Sequence, residues 1–210
     1  LEFRRVLFRS ICDLFDNVIT WKPGVSFDAI HFEGGSDIHP SLYNVKNTHS
    51  FVSDGLSNRD IIERAAINEA IEQKALIIGS CRGAQLACAF AGGKLVQDVT
   101  DHANGPHKVT TKDGKTILTT SVHHQQMYPW EIEHDLLAWS ANPLSDHYLG
   151  DEIDPTKVIL EPEACYFPTI NALAFQWHPE WACSSGEIEF TIDQIKQRLS
   201  HGDRKSTRLN

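Results

Sequence analysis

Short apolar runs alternate with stretches of helical period along the interior of the chain, a pattern that predicts a layered α/β fold. Residues 17–21 (NVITW) and 28–32 (DAIHF) read as strands separated by Lys22-Pro23-Gly24. Gly34-Gly35 follows the second run directly, and a polar loop rich in Asn, Ser and His continues to about Gly55. Ser57 or Asn58 can cap a helix on which Ile61, Ile62, Ala65, Ala66, Ala70 and Ile71 recur at helical spacing. Residues 75–78 (ALII) predict a buried strand, and residues 82–91 are small and apolar enough for a buried helix. Residues 108–120 predict a hairpin turning at Asp113-Gly114. Further strands are expected at 137–140, 158–161 and 172–177, and a last helix from about Ser185 to Leu199. The whole predicts one α/β domain with an open, mostly parallel sheet and helices on both faces.

In such sheets ligands gather at the carboxyl ends of the strands. Gly34-Gly35, residues 79–83 and residues 177–180 all fall just past predicted strand ends. Three chemically interesting segments are therefore expected on one edge of the sheet.

Composition narrows the function classes. A chain of 210 residues, 41% hydrophobic and 22% charged, suits a single globular domain. The net charge of −9 argues against nucleic-acid binding, which needs a basic face. No apolar run approaches bilayer-spanning length, so no membrane partner is expected. Five cysteines without a CxxC pair read as free thiols, and a cytoplasmic location follows as an expectation. The two ends differ from the rest: residues 1–10 and 203–210 each carry a net +2, leaving −13 for residues 11–202. They read as non-native tails flanking a single domain at 11–202.

Gly79-Ser80-Cys81-Arg82-Gly83 has the form G-x-C-x-G between a strand and a helix, the cysteine version of a nucleophile elbow. The turn is tight, so flanking glycines are needed, and the helix N-terminus behind the sulfur favours a thiolate. The backbone N–H of Arg82 would face a developing oxyanion. Gln176-Trp177-His178-Pro179-Glu180 closes a predicted strand, with an imidazole to act as base and a carboxylate two residues on to fix its tautomer. Cys88, by contrast, reads as core filler.

Together, G-x-C-R-G-x-Q at 79–85, G-G-x-D at 34–37 and Q-x-H-P-E at 176–180 resemble class I glutamine amidotransferases. Residues 34–43 (GGSDIHPSLY), Arg59-Asp60 and Ser121-Val122-His123-His124-Gln125 are most similar to the γ-glutamyl-γ-aminobutyrate hydrolase and γ-glutamyl peptidase branch. The resemblance spans roughly residues 17–195. It implies a catalytic triad of Cys81, His178 and Glu180, and an oxyanion hole from the N–H groups of Gly35 and Arg82. It also implies a substrate-binding set of Gln85, Ser121, Val122, His123 and His124 around the glutamate backbone end. The implied reaction cleaves a γ-glutamyl amide through a thioester and needs no cofactor. The family begins with a further strand and helix, which are expected to be missing here.

His102, His107, His123 and His124 form no helical H-x-x-x-H pair with a nearby carboxylate, and no metal site is expected. Trp139, Trp177 and Trp181 read as core or pocket wall. Three functions remain open: a stand-alone γ-glutamyl hydrolase, a glutaminase subunit passing ammonia to a separate synthetase partner, and a non-catalytic binder of γ-glutamyl ligands. An intact Cys81, His178 and Glu180 argue against the last.

Overall fold

The structure is a computed structural model that describes residues 12–206. Its centre is a seven-stranded sheet. In spatial order the strands are β1 (Ala29–Phe32), β2 (Leu76–Ser80), β11 (Ala172–Phe175), β10 (Pro162–Phe167), β8 (Asp135–Ser140), β5 (His107–Thr111) and β6 (Thr116–Thr119). β1, β2 and β11 pair in parallel, whereas every pairing from β11 outward to β6 is antiparallel. Five of the seven strands run in one direction, with β10 and β5 reversed, so the sheet is mixed. The reversals arise where connections are short: β10 returns into β11 across Pro168–Ile170, and β5 into β6 at Asp113-Gly114. Two small two-stranded ladders lie outside it: β3 (Lys94–Val96) pairs with β7 (Gln126–Tyr128), and β4 (Asp98–Val99) with β9 (Tyr148–Leu149).

Both faces of the parallel strands are buried, and the period of two sorts their side chains. Ile77, Ala172 and Ala174 face one core with helices α1 (Asn58–Gln73) and α2 (Arg82–Phe90), through Ala66, Ile67, Ala70, Leu86 and Ala87. Leu76, Ile78, Leu173 and Phe175 face the other, covered by Ile195, Phe190 and Leu199 of α3 (Ser185–Ser206). Helices thus cover both faces. Helix α3 runs past Leu199 into the segment read as a tail, and the tail reading of residues 1–10 lies outside the described residues.

Three local expectations change. Residues 17–21 form no strand: Val18 and Ile19 are exposed, and Trp21 Nε1 and the Gly24 N–H instead bond the Glu69 carboxylate on α1 at 3.2 and 2.9 Å. Residues 158–161 are also not a strand, because a 3-10 turn at Pro155–Lys157 leads into them. There the Glu161 carboxylate accepts from the Leu144 and Ser145 N–H groups and the Tyr148 hydroxyl, and pairing starts only at Pro162. On α1, Ser57 caps in a reciprocal capping box with Asp60, but Ile61 and Ile62 are exposed. The inward stripe starts with Asp60 and Glu63, which meet buried Arg82, and continues through Ala66, Ile67 and Ala70. Ile61 and Ile62 lie beside that stripe.

Candidate active site

The carboxyl ends of β1, β2 and β11 come together, and the sequence-predicted elbow sits on β2. Cys81 joins β2 to α2 at φ 49°, ψ −105°, a backbone region that side-chain-bearing residues avoid, at a cost of about 1–3 kcal/mol. Its N–H bonds Phe175 O at 2.7 Å and its carbonyl accepts from Gln85 N–H at 3.1 Å, so the turn is pinned on both sides. The flanking glycines are sterically required. A methyl on Gly79 would strike the backbone of Gly83, and one on Gly83 the carbonyl of Phe32 on β1. Close packing of strand, elbow and helix is what forces the conformation.

His178 follows β11 and is buried. Its Nδ1 lies 2.7 Å from Glu180 Oε1, while the Cys81 thiol is within hydrogen-bonding reach of the same ring. Burial alone would lower the imidazole's pKa, but the bonds to Cys81 and Glu180 outweigh it and raise the pKa to about 9. Burial likewise opposes ionisation of Glu180, and the His178 partner reverses this and holds its carboxyl below the usual range. Burial pushes the Cys88 thiol up to about 12 and the Cys165 thiol above the ordinary value. Among the described residues every cysteine is free.

Several residues set the His178 ring in place that the sequence did not single out for this. A methyl on Gly34 would overlap His178 Cε1 and stand 3.0 Å from both ring nitrogens, so this glycine, rather than Gly35, makes room for the imidazole. Thr120, just past β6, accepts from the His178 N–H at 2.9 Å and donates to its carbonyl at 3.2 Å. Trp181 stacks on the ring at 4.1 Å and 5°, which agrees with its reading as pocket wall. Nothing in the local pattern marks Thr120, whose role depends on a contact across 58 positions.

Arg82 follows Cys81 in the elbow, and Gly35 lies against it, where a Cβ would come 3.5 Å from Arg82 Cδ. The Arg82 side chain is buried and points away toward Asp60, at 2.7 Å, and Glu63. Burial and the nearby Arg59 charge lower its pKa to about 10, against the pull of Asp60. Arg59 in turn donates to Gly34 O at 3.0 Å and Glu33 O at 2.8 Å, fixing the loop after β1.

The expected substrate-binding residues are mostly engaged within the protein. Gln85 Nε2 donates to Gln125 O at 3.1 Å. Ser121 Oγ donates to His102 O, and His123 Nδ1 to Gln125 O at 2.9 Å. His124 bridges Asp37 at 2.9 Å and Asp98 at 3.3 Å and stacks on exposed Phe51 at 4.6 Å. Only Val122 presents an exposed side chain. Residues 121–125 are therefore a braced loop tied to α2 by Gln85 and to the Gly34–Asp37 loop by His124.

Among the described residues no helix is long and apolar enough to cross a membrane. The Peptidase C26 family model matches residues 24–147, more than half of the chain. The chain is 39% identical to the glutamine amidotransferase-like protein YvdE of Lactococcus lactis subsp. lactis over 176 residues, 80% of this chain and 72% of that protein. It is 25% identical to γ-glutamyl-γ-aminobutyrate hydrolase PuuD of Escherichia coli (strain K12) over 186 residues, 80% and 68% of the two chains. In fold it matches a GMP synthase component of Thermoplasma acidophilum with a TM-score of 0.57 at 16% identity, over 88% of this chain and 78% of the other. The family match and the shared fold lead to one conclusion: the chain belongs to the Peptidase C26 family and is a glutamine amidotransferase-like hydrolase.

Proposed function

We propose that the protein hydrolyses γ-glutamyl amides, releasing glutamate through a thioester on Cys81. The observation that carries the reading is Cys81 itself: a cysteine at φ 49° on a strand-to-helix turn, in hydrogen-bonding reach of an imidazole whose other nitrogen is bound to a carboxylate. A strained backbone at a buried thiol has no packing advantage, whereas a strand-to-helix turn of this kind is how a nucleophile is presented. The resemblance to PuuD, named for hydrolysis of such an amide, supports the substrate class.

In this reading the Cys81 sulfur attacks the γ-carbonyl carbon while its proton resides on His178. The carbonyl electrons move to oxygen, and the N–H groups of Gly35 and Arg82 receive the oxyanion. Collapse breaks the C–N bond, and the amine leaves with the His178 proton. Water then attacks the thioester as His178 takes its proton, and glutamate departs as the thiol is restored. Glu180 keeps Nδ1 protonated throughout, so that Nε2 is the atom that exchanges the proton. Gln85 and residues 121–124 shape the end of the cleft that takes the substrate's amino-acid end. Most of their polar atoms are held by the protein, so loop shape, together with Val122, is their main contribution.

The test is glutamate release from a panel of γ-glutamyl amides and free glutamine, with Cys81→Ala as control. Turnover of an amide that vanishes in the variant supports the reading, and a folded protein that releases glutamate from none of them refutes it. A second reading, a glutaminase subunit supplying ammonia to a synthetase, draws on the likeness to amidotransferase-like YvdE. It predicts weak turnover of glutamine alone, rising when the partner is added.

A further inference from the structure

The antiparallel half of the sheet folds three histidines and a glutamate from four separate segments into one buried cluster. His102 lies in the loop after β4, His107 opens β5, His123 lies between β6 and β7, and Glu163 is on β10. His102 Nδ1, His107 Nε2 and His123 Nε2 stand 3.2, 3.1 and 3.8 Å from the same oxygen, Glu163 Oε1. His102, His123 and Glu163 can each offer one ligand atom such that all three atoms lie within 4.8 Å of one another.

The hydrogen positions that this geometry imposes leave the cluster one positive charge short. Gln125 O can only accept, so His123 Nδ1, 2.9 Å from it, carries the ring's hydrogen. His123 Nε2 then presents a bare lone pair. That atom is buried, has no hydrogen-bond partner, and faces the Glu163 carboxylate. His102 repeats the arrangement: Nε2 is 3.2 Å from Glu161 Oε2, and a hydrogen directed there leaves the Nδ1 lone pair 3.2 Å from Glu163. Glu163 Oε2 also lacks a partner. Protonating His102 twice would set a charge 3.2 Å from each of two carboxylates without a hydrogen bond to either, and His123 Nε2 would still confront an anion. Electron-rich atoms converging in a buried site call for a cation between them.

We propose that His102 Nδ1, His123 Nε2 and the Glu163 carboxylate bind a divalent transition metal of the zinc class, with water as the fourth ligand. Ligands held about 2.0–2.1 Å from a tetrahedral zinc lie about 3.4 Å from each other, and the observed 3.2 and 3.8 Å bracket that edge. Two imidazoles and one carboxylate suit zinc, whereas calcium and magnesium prefer all-oxygen sets. The surrounding groups fit as well, because metal-bound histidines direct their second nitrogen at a carboxylate or a backbone carbonyl. Here Glu161 takes that place for His102 and Gln125 O for His123, while His107 Nε2–H holds the Glu163 carboxylate. The ion would anchor the 121–125 loop to β10. The site shares His123 with the loop proposed to shape the substrate cleft, but the metal binding does not depend on the proposed function.

The test reads metal directly. Protein loaded with Zn2+ and desalted is analysed for bound metal; after chelator treatment, Co2+ is titrated while visible d–d absorption is followed. The wild type is expected to retain one Zn2+ per chain and to show cobalt bands that vanish in Glu163→Gln and in His123→Gln. Glu161→Gln should weaken cobalt binding about 10–100-fold. His147→Gln probes a separate, more exposed group at Asp98 and His124 and should change nothing. Should either ligand variant fail to fold, the melting temperature of the wild type decides: it should fall on chelation and recover with Zn2+. Absence of retained zinc and of cobalt bands overturns the proposal. So do bands that survive both ligand variants but disappear in His147→Gln, or a melting temperature indifferent to chelator and Zn2+.

Discussion

The two halves of the sheet are built by different rules. In the parallel half, β1, β2 and β11 each end in a short chemical motif, and backbone sterics bring these ends together. Each motif is complete within a few residues: Gly34-Gly35, Gly79 to Gly83, His178 to Glu180. In the antiparallel half, formed by β10, β8, β5 and β6, the functional candidates are scattered one to a segment. His102 and His123 lie in loops, His107 and Glu163 on strands, and the four meet only because the fold brings those segments together. A site made of local motifs has its geometry fixed by strand and turn. A site made of isolated residues has its geometry fixed by topology.

The largest test of this contrast lies in the parallel half. Cys81→Ala removes the proposed nucleophile and should lower kcat/KM for the substrate that turns over by about 10⁴-fold or more. The melting temperature should hold or rise, since alanine still carries a Cβ but the buried polar sulfur is gone. Residual activity within tenfold of wild type would show that the elbow is only structural. Gly34→Ala comes next. The added methyl would force the His178 ring to move by about 1 Å, a displacement that can cost about 10²-fold in rate. The loss should fall on kcat while stability changes modestly; unchanged kcat would mean that the ring is free to shift without consequence.

The same contrast explains what the sequence disclosed. The strand-to-helix elbow, the hairpin at Asp113-Gly114, the cap at Ser57 and the alternation in β2 and β11 are local patterns, and each is legible from composition and spacing. Ile61 and Ile62 misled because apolar identity was weighed over partners: Asp60 and Glu63 turn inward only because Arg82 waits for them across the core. Residues 17–21 and 158–161 have strand-forming residues, yet Glu69 takes up the Trp21 indole and the Gly24 N–H, and Glu161 reaches out to the Leu144 and Ser145 N–H groups. Neither carboxylate is adjacent to the groups it binds in a way that spacing could disclose. Thr120 and the histidine cluster were hidden for the same reason.

Thr120 is where the halves join, so its removal tests their coupling. It lies just past β6; its hydroxyl accepts from the His178 N–H and shares its one hydrogen between the His178 carbonyl and buried Glu187, to which its own N–H also donates. Thr120→Val keeps the shape and leaves the His178 N–H without a buried partner, a loss of about 1–3 kcal/mol in stability. Denaturant unfolding should report this, together with a fall in kcat smaller than that of Gly34→Ala. A variant as stable as wild type would mean that His178 is positioned by Glu180 and Trp181 alone.

The smallest expected effect is on the pH profile of the unmodified protein. His178 is raised above its ordinary 6.5 to about 9 by Cys81 and Glu180 acting against burial. A raised folded-state pKa contributes stability that is fully present below 6.5 and is lost as pH climbs through about 9. The same proton must be on His178 when the amine leaves, so kcat/KM should hold between pH 7 and 8, halve near pH 9, and fall tenfold per unit beyond it. Glu180→Gln separates the contributions. Removing the carboxylate takes away one of the two interactions that raise His178, and the alkaline limb should move to lower pH. A limb that stays near 9 in that variant would assign the elevated value to Cys81 alone and reduce Glu180 to orienting the ring.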